Sequence, residues 1–106
     1  MRLYHNPRCS KSRQAVKLLT DKGVIFQEHR YLEEGIMEDD LPLLATFTGI
    51  IRKQEKEFKE LDFKVNSAND VIKALRSKPR LLERPVLIKD GKAIIGRPPE
   101  DILQLL

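Results

Sequence analysis

The segment Val86-Leu87-Ile88-Lys89-Asp90-Gly91-Lys92-Ala93-Ile94-Ile95 constrains the fold more than any other part of this chain. Asp-Gly between two apolar runs favours a two-residue turn whose central residues both take positive φ, so the runs are expected to pair as an antiparallel hairpin. At the other end, Arg2 to His5 reads as a short strand. From Lys11 to Lys22, Ala15, Val16, Leu18 and Leu19 recur at helical spacing, and Gly23 supplies the stop. Val24 to Tyr31 reads as extended, with Glu33-Glu34-Gly35 as the break after it.

The middle of the chain reads as helical. Met37 to Thr48 is expected as one helix with Leu41, Leu44 and Ala45 inward, closed by Gly49, and Pro42 is tolerable there only near the first turn. Ile50 to Phe63 is less regular and suggests short helical pieces. Ser67 is placed to cap a helix carrying Val71, Ile72 and Leu75 that ends before Pro79. After Gly96-Arg97-Pro98-Pro99, Ile102, Leu103, Leu105 and Leu106 indicate a final helix. The order, with a cysteine after the first strand and a proline just before the hairpin, resembles a thioredoxin-like α/β fold. An all-helical insertion, about 32–79, would separate the second strand from the C-terminal hairpin within one domain of 106 residues. In that fold the proline before the third strand is usually cis, and Pro85 takes this place.

Cys9 is the only cysteine of the chain. It can neither close an internal disulfide nor, with only His5 and His29 as further soft ligands, assemble a zinc site, so no metal is expected. It stands where a strand gives way to a helix, near unpaired N–H groups and the positive end of the helix dipole, which favour a thiolate. Arg8, Lys11 and Arg13 act in the same direction. Cys9 therefore reads as a redox-active nucleophile.

Composition narrows the partners. The net charge of +4 suits a small anionic substrate as well as nucleic acid, whose readers carry a concentrated basic stripe; Lys53 to Lys59 interleaves its bases with Glu55 and Glu57 and reads as a solvated face. No nucleic-acid partner is expected. No apolar run approaches the ~18 residues of a membrane span, and the N-terminal residues lack the pattern of an export signal. One unpaired cysteine then fits a cytoplasmic protein.

His5-Asn6-Pro7-Arg8-Cys9-Ser10-Lys11-Ser12-Arg13, Tyr31-Leu32-Glu33, Ile51-Arg52-Lys53, Leu82-Glu83-Arg84-Pro85 and Gly96-Arg97-Pro98-Pro99-Glu100 resemble, in order and spacing, the glutaredoxin-coupled arsenate reductase family of ArsC/Spx-like proteins. The resemblance runs from Leu3 to the last residues. It implies an oxidoreductase that reduces arsenate to arsenite through Cys9. Arg52, Arg84 and Arg97 would bind the oxyanion, His5 would lower the thiol pKa and Ser12 would help to orient the thiolate. Planar guanidinium forks suit a tetrahedral oxyanion better than lysine does, and they offset its repulsion from a thiolate. With no second cysteine, glutathione and then glutaredoxin would serve as external reductants, with no bound cofactor and a monomer expected.

Other readings follow from the same residues. A low-molecular-weight phosphatase would need five residues between cysteine and arginine, and Cys9 to Arg13 leaves three. A general glutathione-dependent thiol reductase is a second possibility. Relatives of the Spx type dock on RNA polymerase and carry a Cys-x-x-Cys switch, where this chain has Cys9-Ser10-Lys11-Ser12.

Overall fold

A computed structural model covers residues 1–106 and divides into two compact units, Met1–Glu34 with Arg84–Leu106, and Gly35–Glu83. The first unit is built on a four-stranded sheet, β1 (Arg2–Tyr4), β2 (Gln27–His29), β3 (Val86–Lys89) and β4 (Lys92–Ile95), in the order β2-β1-β3-β4. β2 runs parallel to β1, and the β1–β3 and β3–β4 pairs are antiparallel. The hairpin forms where the sequence places it: Asp90 and Gly91 take φ values of 51° and 74°, and Lys89 pairs with Lys92. Asp is one of the few non-glycine residues that visits this region readily.

α1 (Ser10–Asp21) crosses from β1 to β2. Its apolar face sets Ala15 and Leu19 against Leu3, Leu87 and Ile102, all fully buried. Leu3 and Leu87 are directly paired across β1 and β3, so one face of the sheet meets the helix at the pair's side chains. Gly23, at φ 70°, ends the helix; its N–H donates to Thr20 O and the Val24 N–H to Leu19 O, while Leu19 and Val24 both join the core. That double bond with its apolar contact is the Schellman ending that glycine permits.

The final helix is not an α-helix. Pro99–Leu105 is a 3-10 helix, with Asp101 N–H bonding Pro98 O and Leu106 N–H bonding Leu103 O. Two prolines at its start remove the donors of its first turn, and Ile102 is its anchor in the core.

The Gly35–Glu83 unit differs from the expected long helix. The stretch expected as one helix over 37–48 is a 3-10 turn (Glu38–Asp40) followed by a single helical turn after the short α2 (Tyr31–Glu34) of the first unit, here α3 (Leu41–Leu44). Pro42 sits in the first turn of α3, where its missing N–H costs nothing but where the helix must also begin. Past Leu44 the Thr46 and Phe47 N–H groups bond three residues back, and the Thr46 hydroxyl also takes Leu43 O, so the chain tightens into turns. α4 (Lys56–Lys59) is one of the short pieces anticipated for 50–63. α5 (Ala68–Ser77) starts at Ser67 with a reciprocal capping box: Asp70 N–H donates to Ser67 Oγ at 3.2 Å and Ser67 N–H to Asp70 Oδ2 at 3.1 Å. Between β2 and β3 the named elements are all helical, and a single isolated antiparallel bridge joins Ile51 to Leu82.

Candidate active site

The segment from Asn6 to Cys9 is a four-residue turn closed by the Cys9 N–H on Asn6 O at 3.0 Å. Asn and Pro at its first two positions are the residues such a turn favours. Asn6 adds two further bonds: its Oδ1 accepts the Arg8 N–H at 3.0 Å, and its N–H donates to Ser12 Oγ at 3.2 Å. Arg13 Nη1 reaches back to Pro7 O at 3.0 Å. The turn is thus tied to the first turn of α1 at two points.

Cys9 is the extended residue immediately before α1 and is partly buried. Burial pushes its thiol pKa up, but the Ser12 and Lys11 N–H groups and the Arg84 guanidinium outweigh burial and hold the thiol below its ordinary value. The sulfur makes no capping hydrogen bond of standard geometry, so the N–H groups act chiefly as oriented dipoles at the helix start. Arg97 also comes to the sulfur, with Nη2 3.8 Å from Cys9 Sγ and Nε donating to Arg84 O at 2.9 Å.

The two arginines are delivered by backbone geometry. Arg84-Pro85 is cis, in the conformation expected from the sequence, and Arg97-Pro98 is cis as well, which was not anticipated. Between them Gly96 lies against Pro85, its N–H bonded to Pro85 O at 2.8 Å. A Cβ on Gly96 would fall 2.9 Å from Pro85 Cγ and 2.8 Å from Ile102 Cγ2. Only glycine lets the end of β4 come this close to Pro85.

Ser12 is fully buried, and its hydroxyl accepts the Asn6 N–H. What Ser12 turns toward the sulfur is its backbone N–H. His5 is also buried, with its N–H on His29 O at 2.9 Å and Nδ1 without a hydrogen bond. Burial pushes its imidazole pKa below the ordinary value; Glu28 opposes this and Arg30 and Arg13 add to it. Burial thus disfavours the charged ring that an electrostatic role for His5 would use. The lowered thiol pKa comes instead from the helix N–H groups and Arg84.

Arg52 belongs to the Gly35–Glu83 unit. Its guanidinium is clasped by two carboxylates, Nε to Glu55 Oε1 at 3.1 Å and Nη1 to Glu83 Oε1 at 2.8 Å. Burial disfavours its charge, and Glu83 and Glu55 more than restore it. The same unit holds a cleft of about 530 Å³ lined by residues from 45 to 54, Arg52 not among them, and from 65 to 71, none of them a sequence-predicted site residue. Sequence reasoning missed Asn6 and Gly96 as parts of the site. Asn6-Pro7 is an ordinary turn-starting pair, whereas the close approach at Gly96 depends on contacts far apart in sequence.

A thioredoxin-like α/β unit with one cysteine at a helix start, flanked by the strand-end arginines Arg84 and Arg97, defines the class of protein. The chain belongs to the ArsC family, whose profile matches residues 4–105. It is 37% identical to an arsenate reductase of Neisseria meningitidis serogroup A, over 100% of this chain and 97% of that protein. The structure of an arsenate reductase from Vibrio cholerae superposes with a TM-score of 0.86 at 34% identity, covering 100% of this chain and 98% of the other. A more distant match, 31% identical over 98% of this chain and 83% of the relative, is the global transcriptional regulator Spx of Streptococcus pyogenes serotype M1.

Proposed function

We propose that this protein reduces arsenate, or a closely similar tetrahedral oxyanion, to arsenite, with Cys9 as nucleophile and Arg84 and Arg97 as the anion-binding pair. The observation that carries this reading is the convergence of the helix N–H groups, Arg84 and Arg97 on one sulfur. The Cys9 thiolate attacks arsenic and an oxygen leaves as water, giving a thiol–arsenic(V) adduct. Two glutathione thiols then supply two electrons. The first glutathione attacks the Cys9 sulfur, so the As–S pair leaves with arsenic as arsenite and a Cys9–glutathione mixed disulfide forms. Glutaredoxin with the second glutathione reduces it, giving glutathione disulfide and the Cys9 thiol. The cations offset the repulsion between two anionic reactants. Arg52 enters this scheme only if it leaves Glu55 and Glu83, so its part in binding the oxyanion is the least supported of the three. Ser12 acts by holding the turn through the Asn6 N–H, and His5 by fixing the chain before it to His29, rather than by touching substrate. A cytoplasmic monomer with no membrane or nucleic-acid partner is the setting that fits one reduced cysteine, and no helix is long and apolar enough to cross a membrane.

Arsenate-dependent NADPH oxidation, coupled through glutathione reductase, glutathione and glutaredoxin, tests the reading. Saturable turnover that disappears in Cys9→Ser is expected. A folded chain whose Cys9 alkylates readily, yet which shows no turnover, sinks the assignment to arsenate. Mixed-disulfide reduction would then identify a general thiol reductase. The match to a transcriptional regulator supports one further reading, docking on RNA polymerase, which a binding assay with purified polymerase tests directly.

A further inference from the structure

We propose that Asn6 is a positioning residue for the Cys9 nucleophile, folding the 6–9 turn so that the first N–H groups of α1 lie beside the sulfur. The argument is geometric. Asn6 is buried, and three of its polar groups are used within this one loop: Oδ1 takes the Arg8 N–H, the backbone carbonyl takes the Cys9 N–H and the backbone N–H reaches Ser12 Oγ. The first two bonds set the path of the chain into Cys9. The third joins that path to Ser12, the residue whose own N–H stabilises the thiolate.

The two backbone bonds are open to any residue, but a side chain that only filled space would not take the Arg8 N–H, and this is the bond the asparagine itself supplies. Asparagine at the start of a turn uses its carbonyl as a substitute for a backbone acceptor, which fixes the next two residues without a repeating ladder. Cys9 needs such a device because it must stay extended while the residue after it is already helical. An aspartate would make the same bond but place a negative charge near a thiolate, which disfavours ionisation. A neutral oxygen acceptor is what the site requires. The inference concerns the reactivity of Cys9 and holds whichever oxyanion or disulfide the protein acts on.

The test is the pH dependence of Cys9 alkylation by iodoacetamide in the full chain, with thermal unfolding followed in parallel. In Asn6→Ala the alkylation midpoint is expected to rise, slowing the reaction about three- to tenfold at a pH below the wild-type midpoint. Asn6→Ser, which keeps a neutral acceptor on a shorter arm, should recover most of that rate. A lower melting temperature with an unmoved midpoint in Asn6→Ala would show that Asn6 serves folding alone and overturn the proposal. Should Asn6→Ala fail to fold, Asn6→Leu decides, since it nearly keeps the side chain's volume while removing the acceptor of the Arg8 N–H. A raised midpoint there supports the proposal, and an unmoved one overturns it. Neither outcome depends on arsenate turnover.

Discussion

Arg97 and Arg52 carry the same guanidinium into opposite settings, one in each unit of the molecule. Arg97 is exposed, with Nε on a peptide carbonyl and Nη2 beside the sulfur of Cys9. Arg52 is three-quarters buried and meets two carboxylates, Glu55 and Glu83, at 3.1 and 2.8 Å. A carbonyl orients a guanidinium without cancelling its charge, whereas two carboxylates both orient and cancel it. The sheet unit therefore brings cationic groups to the Cys9 sulfur, and the Gly35–Glu83 unit uses its arginine to tie the Arg52 loop to Glu83. Chemistry and cohesion are drawn from the same residue type by the partners that the fold supplies.

The contrast breaks most easily at Gly96. Gly96→Ala puts a carbon within 3 Å of both Pro85 and Ile102, in a core that has little freedom to give way. A loss of about 1–3 kcal/mol in equilibrium urea unfolding is expected. An unchanged midpoint would mean that the Pro85 contact yields easily and that Arg97 is held by its side chain alone.

Exchanging the arginines sharpens the comparison. Arg84→Gln removes a cation that holds the Cys9 thiol down, so iodoacetamide alkylation below the wild-type midpoint should slow about three- to tenfold. Arg52→Gln should leave that midpoint in place and instead unfold earlier in urea, because Glu55 and Glu83 lose the charge between them. If Arg52→Gln moves the thiol midpoint as far as Arg84→Gln does, the division of labour between the two arginines is wrong.

Local signals in the sequence carried further than long-range ones. The Asp90-Gly91 hairpin, the Gly23 helix stop and the Ser67 cap each depend on a few neighbouring residues, and each forms as read. The stretch over 37–48 failed as a helix because apolar spacing says nothing of the strain that Pro42 and the threonines impose on a continuous ladder. The last helix had the right apolar residues but tightened to a 3-10 form after two prolines. In the site, the place of Cys9 before a helix was legible, but the cations read beside it, Arg8, Lys11 and Arg13, are not those that lower its thiol; Arg84, far along the chain, is. The clasp on Arg52 was only half visible: Glu55 stands three residues away, but Glu83 comes from 31 residues along the chain. His5, credited by resemblance with lowering the thiol pKa, sits where burial disfavours its charged form, which the sequence alone could not show.

Within the insertion the Ser67 capping box gives a smaller test. Ser67→Ala leaves the Asp70 N–H without its oxygen at 3.2 Å while the Asp70 carboxylate still holds the Asn66 and Ser67 N–H groups. A cost of about 1 kcal/mol is expected in urea unfolding, with no change in Cys9 alkylation. A change in alkylation would mean that the start of α5 is felt at the thiol.

The smallest effect belongs to His5, and its sign separates the two accounts of that residue. Because burial lowers the folded-state imidazole pKa, the unfolded chain binds more protons between the folded value and the ordinary one. Stability therefore rises with pH across that window; the contribution is complete above the ordinary imidazole value and is lost as pH falls through the folded value. Urea midpoints measured at stepped pH should show this slope in the wild type, and His5→Gln, which cannot titrate, should lack it. Alkylation of Cys9 in His5→Gln should keep the wild-type midpoint, since a neutral ring gives the thiolate no charge to lose. A cationic His5 that activates Cys9 requires the reverse on both measurements: stability that falls as pH rises through a raised imidazole pKa, and a thiol midpoint that climbs when the ring is removed.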